Sequence, residues 1–416
     1  MTPTVFAEYL TNPPEADLDV IKRVFFQTSS PQELETVASK QSALNFHHLH
    51  PLSKIFVAQG PVRTLQTLAQ QSTVQRVFED QKLFLSSQHV LDAIGLPVII
   101  GSFLHLDGKG IRIALLDSGI DGTHPDLRDS IEVRKSFLNF DAELEQMGNF
   151  HGTAIAGIIG GRGDPKEGRY RGISPAVTFL DAQVFDTSGV AYLSDTIEAL
   201  TWAVLQTPDL IVFGGVMLPG CEADNPLTEL CQAVILAGGT IVAPAGNFGP
   251  ESATISCPAS LPGVIAVGAV TQEGDPAFFS SRGSFEEGIR KPDVVLPGVG
   301  IQTLKPVGGD SSSDILTGTS AAAAICAGLL ALILSGRKRI PPHALKYAIL
   351  QAAESIDQDP VTQGNGILNG ITLARYFNLL HSPPAPFKRV VTSSIAVTTL
   401  LTAIVIVAII AASFLR

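Results

Sequence analysis

The stretch Leu316-Thr-Gly-Thr-Ser-Ala-Ala-Ala-Ala-Ile-Cys-Ala-Gly-Leu-Leu-Ala-Leu-Ile-Leu334 decides how this chain folds. It contains no charged residue and no proline, a composition that predicts a buried helix. Ser320 lies at the first turn of that helix, where backbone N–H groups point outward and the helix dipole is positive. The position suits a nucleophile whose reaction develops an oxyanion, although a plain N-cap serine fits the same pattern.

Two upstream stretches supply the other groups that a serine nucleophile needs. An apolar run that begins at Ile111 ends at Asp117, and a Ser-Gly pair then turns the chain. His151 begins a second run of small and apolar residues, His-Gly-Thr-Ala-Ile-Ala-Gly. Because a serine nucleophile requires a base, and the base requires an orienting carboxylate, we predict a triad of Asp117, His151 and Ser320.

The three motifs together resemble those of subtilisin-like serine proteases, the subtilase family. Asp-Ser-Gly-Ile-Asp begins at Asp117, His-Gly-Thr at His151, and Gly-Thr-Ser ends at Ser320, in the family's order. The resemblance implies hydrolysis of peptide bonds through an acyl-enzyme. It also implies that the side-chain amide of Asn247, which follows a strand-like run from Gly239, faces the oxyanion beside the Ser320 backbone N–H group.

The resemblance also implies which residues contact the substrate. Gly214 and Gly215 belong to the substrate-pairing strand, where this chain reads Val-Phe-Gly-Gly-Val-Met and the family usually has Asn-Met-Ser-Leu-Gly-Gly. Ala245, Gly246 and Ser256 are predicted to line the substrate site, with Ser256 near the primary specificity pocket. The shape of the subsites is not predictable from this altered strand.

Further departures from the family surround the nucleophile and the base. Ala321 and Ala324 replace the methionine and proline that usually follow the serine, and Ala154 replaces a second histidine. None of these changes removes a reacting group. They nevertheless motivate an alternative from another class, in which a catalytically silent subtilase fold acts as a membrane-bound binding scaffold.

Length and composition indicate an α/β protein. The chain has 416 residues, of which 45% are hydrophobic and 16% are charged, enough for a large core and a smaller domain. Strands alternate with helices, so we expect a mainly parallel, doubly wound, subtilisin-like sheet. The net charge of −11 argues against a nucleic-acid partner, and we expect a polypeptide substrate.

The segment before the catalytic motifs is predicted to be a separate α+β domain. After a leader at residues 1–15, residues 16–88 end in a strand, an amphipathic helix and a second strand predicted from Val74 to Leu85. This pattern resembles the inhibitory propeptide of subtilases. An unrelated accessory domain is the alternative. If maturation occurs, we place the cut between about residues 84 and 92, in front of a catalytic domain that extends over residues 89–380.

The end of the chain is predicted to cross a membrane. A proline-rich linker at 381–389 precedes residues 390–415, which contain no charge and are almost wholly apolar from Ile395 to Phe414, the length and composition of a transmembrane helix. A buried C-terminal helix is the alternative. Lys388 and Arg389 precede this run, Arg416 alone follows it, and the N-terminus lacks a signal-peptide pattern. These features favour a cytoplasmic catalytic domain with a C-terminal transmembrane anchor, and the opposite orientation is the alternative.

The chemistry predicted here requires no metal. Asp126 has the position of a common structural calcium ligand in the family, with Asp164 in a nearby loop, but a plain turn carboxylate is equally consistent. The histidines at 47, 48 and 50 lack further ligands at suitable spacing, so we expect a surface loop there.

The four cysteines do not form a recognisable framework. Cys221 and Cys231 flank one predicted loop and could form a bridge, while Cys326 lies in the predicted core helix. Four scattered cysteines favour a reducing compartment.

Overall fold

The computed structural model describes residue 10, residues 17–48, 55–80, 82–85, 106–138, 150–163, 170–219, 225–286, 290–307, 313–337 and 340–377, and residue 379. The predicted linker at 381–389 and the predicted membrane helix at 390–415 lie outside these residues, as does the stretch immediately before residue 106.

The N-terminal part is a four-stranded antiparallel sheet with two helices on one face. Its elements are β1 (Ile21–Thr28), α1 (Pro31–Ala38), β2 (Asn45–His48), β3 (Ile55–Pro61), α2 (Val62–Ala69) and β4 (Val74–Glu79), with strand order β2-β3-β1-β4. Val24 and Phe26 of β1 pack with the helices, and Leu10 from the predicted leader joins that core. His47 and His48, predicted to lie in a loop, are part of β2 because their backbone pairs with β3.

The second face of this sheet packs on the rest of the protein. Phe25, Val57 and Phe78 alternate with the helix-facing residues, as expected for successive side chains of a strand. They join the core of the elements from Lys82 onward, which carry the predicted triad residues and are called the catalytic part. The predicted strand from Val74 to Leu85 is in fact two strands. Its second half leaves the N-terminal sheet and pairs elsewhere, as described below.

The catalytic part consists of the remaining elements. The strands are β5 (Lys82–Leu85), β6 (Arg112–Asp117), β7 (Ile131–Ser136), β8 (Thr178–Gln183), β9 (Val190–Tyr192), β10 (Leu210–Phe213), β11 (Gly215–Met217), β12 (Ile241–Pro244), β13 (Ile265–Val270), β14 (Val294–Pro297), β15 (Ile301–Leu304), β16 (Ser313–Leu316), β17 (Ala353–Glu354) and β18 (Ile367–Leu368). The helices are α3 (His151–Gly160), α4 (Leu193–Leu205), α5 (Pro226–Leu236), α6 (Thr319–Gly336), α7 (Pro342–Gln351), α8 (Pro360–Gln363) and α9 (Gly370–Tyr376).

A nine-stranded sheet forms the centre, in the order β17-β18-β14-β13-β12-β10-β6-β8-β7. All its neighbouring strands are parallel except the short pair β17 and β18. Helices α3 and α6 cover one face, and α4 and α5 cover the other. The predicted α/β fold with a mainly parallel, doubly wound sheet is therefore confirmed.

Helix α6 is the central core element. Its first sixteen residues are all buried, which explains why the sequence tolerates no charge there. Among the described residues it is the one helix long and apolar enough to cross a membrane. Its side chains instead pack between α3 and the central sheet, so it is a core helix.

A buried ionic network joins the N-terminal domain to α4. The Arg23 Nε atom lies 2.7 Å from Asp80 Oδ2, and the Arg23 guanidinium also pairs with Asp195 and donates to Ser194 Oγ at 2.9 Å. The Ser194 N–H group donates to Asp80 Oδ1 at 2.7 Å. The Arg23 guanidinium lies 4.1 Å from the ring centroid of Tyr192. An N-terminal-domain carboxylate thus caps the first turn of a catalytic-part helix.

The cysteine prediction is confirmed only in part, since Cys326 lies buried in the core helix as expected. Cys257 is disulfide-bonded, whereas Cys231 and Cys326 are buried free thiols. The predicted bridge between Cys221 and Cys231 is not formed because Cys231 packs into the core on α5. Disulfides persist mainly in oxidising compartments, so the bond at Cys257 counts against the reducing compartment that the sequence favoured.

Candidate active site

Three elements bring the predicted triad side chains together. Asp117 ends β6, His151 begins α3, and Ser320 lies in the first turn of α6. The His151 Nδ1 atom lies 2.9 and 3.0 Å from the two carboxylate oxygens of Asp117, and its Nε2 atom lies 2.9 Å from Ser320 Oγ. All three side chains are almost fully buried.

The parallel sheet explains why these groups meet. β6 lies between β10 and β8, so its carboxyl end is at the centre of the sheet edge where α/β proteins place their sites. Helices α3 and α6 begin at this edge and pack against each other. Ala154, Ala321 and Ala324, the residues at which this chain departs from the family, are fully buried here, so their small side chains permit close approach.

Hydrogen bonds fix the loop that follows Asp117. The Ser118 N–H group donates to Asp117 Oδ1 at 2.6 Å. The Gly152 N–H group donates to Ser118 Oγ at 3.0 Å. Ser118 is thus hydrogen-bonded both to the Asp117 carboxylate and to the helix that begins with His151.

Asn247 lies beside the start of α6. Its Oδ1 atom accepts hydrogen bonds from the Thr319 N–H group at 3.0 Å and from Thr319 Oγ1 at 2.9 Å. Its Nδ2 atom is buried and has no partner among the described residues. Thr319 therefore orients the amide so that its donor remains available. The role of Thr319 was not predicted from the sequence, although its position next to Ser320 was a usable signal.

The predicted substrate residues lie near this edge. The Gly246 N–H group donates to Thr319 Oγ1 at 3.2 Å, which joins its loop to the start of α6. Ala245 is buried, and its carbonyl accepts from the N–H group of Ser256 at 3.2 Å. Ser256 is fully buried, and its hydroxyl donates to the Thr254 carbonyl at 3.3 Å.

Gly214 separates β10 from β11 and contacts the triad. Its N–H group donates to the Leu116 carbonyl at 2.9 Å. A side-chain carbon at this position would lie 1.8 Å from Asp117 Oδ2. The glycine that replaces the family's usual serine thus permits the catalytic carboxylate to occupy the space beside it.

Strand β5 lies between two strands of the catalytic part. It pairs antiparallel with β11, where Leu85 is opposite Gly215, and antiparallel with β9, where Phe84 is opposite Val190. The three strands form a sheet in the order β11-β5-β9. The segment that leaves the N-terminal domain therefore occupies, as an extended strand, a groove that ends beside the triad.

Asp126 does not belong to a described metal site. The structure's described portion contains no group of three or more His, Cys, Asp or Glu side chains arranged to hold a metal ion. The Asp126 N–H group donates to His124 Nδ1 at 3.1 Å, and its carbonyl accepts from Arg162, contacts that suit a turn residue. Asp164 lies outside the described residues.

Comparison with known proteins agrees with this architecture. The model of the subtilase family matches residues 108–370, and the chain belongs to that family. It is a subtilisin-family serine protease.

Individual relatives support the same assignment. The chain is 29% identical over 331 residues to the serine protease AprX of Bacillus subtilis (strain 168), which covers 73% of this chain and 74% of AprX. It is 32% identical over 278 residues to subtilisin amylosacchariticus of Bacillus subtilis subsp. amylosacchariticus, covering 66% of this chain and 68% of that protein. The human membrane-bound transcription factor site-1 protease is 28% identical over 286 residues, 66% of this chain but 26% of that protein.

A solved structure shares the fold. The crystal structure of fervidolysin from Fervidobacterium pennivorans, a keratinolytic enzyme related to subtilisin, matches with a TM-score of 0.67 at 18% identity. The match covers 88% of this chain and 62% of fervidolysin.

We expect Gly214→Ala to lower kcat by about 100-fold, because the new methyl group would displace the Asp117 carboxylate and a misplacement of about 1 Å costs on this order. Steady-state kinetics with a fluorogenic peptide measures the change. The matched control is Gly122→Ala, whose added carbon would make only ordinary contacts at 3.6 Å. A Gly214→Ala enzyme with the wild-type kcat would show that the carboxylate can move without loss.

Proposed function

We propose that this protein is a membrane-tethered serine endopeptidase that uses Asp117, His151 and Ser320 and is made as a self-processing zymogen. The observation that carries the catalytic part is the continuous hydrogen-bonded chain from the Asp117 carboxylate through His151 to Ser320 Oγ. This order of acid, base and nucleophile is the arrangement that acyl transfer by serine requires.

Each residue has a defined task in the proposed reaction. Ser320 Oγ attacks the carbonyl carbon of the scissile peptide while His151 Nε2 takes the hydroxyl proton. His151 then donates that proton to the leaving amine, and later takes a proton from the water that hydrolyses the acyl-enzyme. Asp117, bonded to His151 Nδ1, holds the required tautomer and stabilises the imidazolium.

Asn247 is proposed to stabilise the oxyanion together with the Ser320 backbone N–H group. The buried Nδ2 donor without a described partner supports this role, since a buried donor is ordinarily satisfied. Because its Oδ1 atom is held by Thr319, the amide is oriented before the substrate arrives. Such preorganisation stabilises the transition state without a cost of reorientation during the reaction.

The proposed substrate is an extended polypeptide that pairs with backbone groups of β11 and β9. Gly215 of β11 and Val190 of β9 are supported in this role by their antiparallel pairing with β5. Adding a strand in this manner provides affinity through main-chain hydrogen bonds and specificity through alternate side chains. Ala245, Gly246 and Ser256 are proposed to line the pocket for the residue next to the scissile bond.

The N-terminal domain is proposed to inhibit the enzyme until it is cut. Its last described strand, β5, occupies the groove where substrate would pair, and the network around Arg23 fixes the domain to α4. We place the cut just after Leu85, within the 84–92 interval. An occupant linked to a buried interface dissociates slowly, so processing alone need not release it.

We expect the wild-type protein to lose roughly its first 85–90 residues and Ser320→Ala to stay full length, because only the former can cleave its own chain. Intact mass and N-terminal sequencing measure this. Asn247→Ala should process about 10²–10³-fold more slowly, a magnitude that comes from the equivalent loss in a subtilisin.

Labelling with a serine-directed fluorophosphonate separates this proposal from the scaffold alternative. Labelled Ser320 supports an active enzyme. A full-length wild-type protein that remains unlabelled under native conditions would favour a silent scaffold.

We expect Arg23→Met to weaken retention of the cleaved N-terminal domain by a factor of about 10²–10⁴. The substitution leaves the Asp80 and Asp195 carboxylates buried without their counter-charge, and breaking a buried ion pair in this way costs about 3–5 kcal/mol. Size-exclusion chromatography after processing, followed by a peptidase assay, measures retention and release. Arg63→Met is the control, since Arg63 pairs with Asp19 at an exposed site. Equal retention in both variants would exclude the ionic network as the fixing contact.

The membrane tether is proposed from residues 390–415 and is supported by their apolar composition. One relative, the site-1 protease, is named as membrane-bound. The side on which the catalytic domain lies is a separate matter. Lys388 and Arg389 before the apolar run favour the cytoplasm, whereas the disulfide bond at Cys257 favours an oxidising compartment.

We expect the full chain to stay in the membrane fraction after extraction with alkaline carbonate, and a chain that ends at residue 389 to become soluble, because the apolar run is removed. Protease digestion of a C-terminal epitope tag on sealed cells then reports orientation. A digested tag indicates a cytoplasmic catalytic domain, and a protected tag indicates the opposite. Carbonate-soluble full-length protein would contradict the tether.

The proposed mechanism uses protein groups alone, so no metal is assigned a step. Calcium at Asp126 stays a prediction, since the described residues near it do not form a ligand cluster.

A further inference from the structure

Asp181 is a buried carboxylate in the central sheet that the proposed mechanism does not use. It lies on β8, with its Cα opposite Leu115 of β6 and Arg134 of β7. Its side chain has no exposed surface. One oxygen, Oδ2, accepts a hydrogen bond from the Ile120 N–H group at 3.0 Å and another from Arg134 Nε at 2.6 Å.

The second carboxylate oxygen of Asp181 lowers the stability of the folded protein. Oδ1 is buried and has no hydrogen-bond partner among the described residues. Burial raises the pKa of Asp181, and the Arg134 guanidinium opposes that rise. A buried carboxylate with one unsatisfied oxygen destabilises a fold relative to an apolar residue of similar size. Stability alone therefore does not account for an aspartate in this sheet.

The hydrogen bond from the Ile120 N–H group explains why an aspartate lies at this position. Ile120 lies three residues after Asp117, in a turn where Gly119 has the left-handed φ of +90°. On its other side this turn is bonded to α3: Ser118 Oγ accepts from Gly152, and the Asp121 N–H group donates to Thr153 Oγ1 at 2.8 Å. The turn is thus fixed between β8 and the helix that begins with His151.

From this geometry we infer that Asp181 is a positioning residue for catalysis: it fixes the turn that orients Asp117 and the start of α3, and Arg134 holds Asp181 in place. The inference rests on the proposed triad. Asp181 lies in the central sheet and not in the sheet of β9 and β11, so we expect it to act on the alignment of Asp117 with His151. Displacement of that alignment slows the chemical step and leaves peptide pairing intact.

The test is steady-state kinetics on purified, processed enzyme with a fluorogenic peptide, together with the melting temperature of each variant. Asp181→Ala should lower kcat by about 10–100-fold with KM within about twofold of wild type, since small misplacements of reacting groups have effects of this order. Asp181→Asn keeps an acceptor for the Ile120 N–H group and should recover most of that loss. Arg134→Gln should lower kcat in the wild-type background but not in Asp181→Ala, because the two residues act as one unit.

An ion pair between β7 and β6 is the control. Glu132 of β7 pairs with Arg112 of β6 at 2.6 Å, at the opposite end of the sheet from Asp117. Glu132→Gln should change neither kcat nor KM. If Asp181→Ala fails to fold, Arg134→Gln is the test variant, and a kcat loss in it without a KM change supports the inference.

Two outcomes would overturn the role of Asp181. One is a wild-type kcat in folded Asp181→Ala, whatever its melting temperature, or in Arg134→Gln where Asp181→Ala does not fold, which would make Asp181 purely structural. The other is a fall in kcat/KM that comes from a higher KM, which would assign Asp181 to substrate binding. If the proposed triad is wrong, the result is different, because Ser320→Ala would then retain the wild-type kcat.

Discussion

Close packing of two small-residue helices against one sheet edge is the constraint on which the rest of this structure depends. The proposed triad requires the starts of α3 and α6 to come close enough for His151 Nε2 to lie 2.9 Å from Ser320 Oγ. Alanine and glycine along both helices allow that approach, and a bulky residue at the interface would separate the reacting atoms. The parallel sheet then adds Asp117 from its central strand, because all parallel strands end at the same edge.

The sheet of β11, β5 and β9 depends on backbone pairing, with β5 between two strands of the catalytic part. In the proposed function, an extended peptide takes the place of β5 and makes main-chain hydrogen bonds of the same kind. On that proposal, the same two strands serve inhibition before processing and substrate recognition after it. The Arg23 network then distinguishes the two occupants, because it adds a buried interface that a free peptide lacks.

Among the described residues, three sets of buried charged side chains lie where they fix the position of a loop or a domain. One set contains Asp117 and Asp181 at the catalytic edge, and another joins the N-terminal domain to α4. A third pairs Lys291 with Asp293 at 2.7 Å between neighbouring strands, where burial lowers the pKa of the lysine to about 7. Each costs desolvation, and none is needed to fill space. Their common effect is to fix one arrangement of loops that apolar packing alone would leave adjustable.

The sequence by itself determined the fold class, because alternating strands and helices have local hydrophobic periodicities that can be recognised without the structure. It also identified Asp117, His151 and Ser320 as candidate triad residues, because each lies in a short motif whose neighbouring residues indicate its chemical role. Only the tertiary structure decided how Thr319 orients Asn247, why the strand predicted from Val74 to Leu85 divides in two, and which cysteine is oxidised. It also decided the partners of Arg23 and Asp181. Those contacts join residues from about 45 to more than 170 positions apart, and no local pattern encodes a partner at that distance.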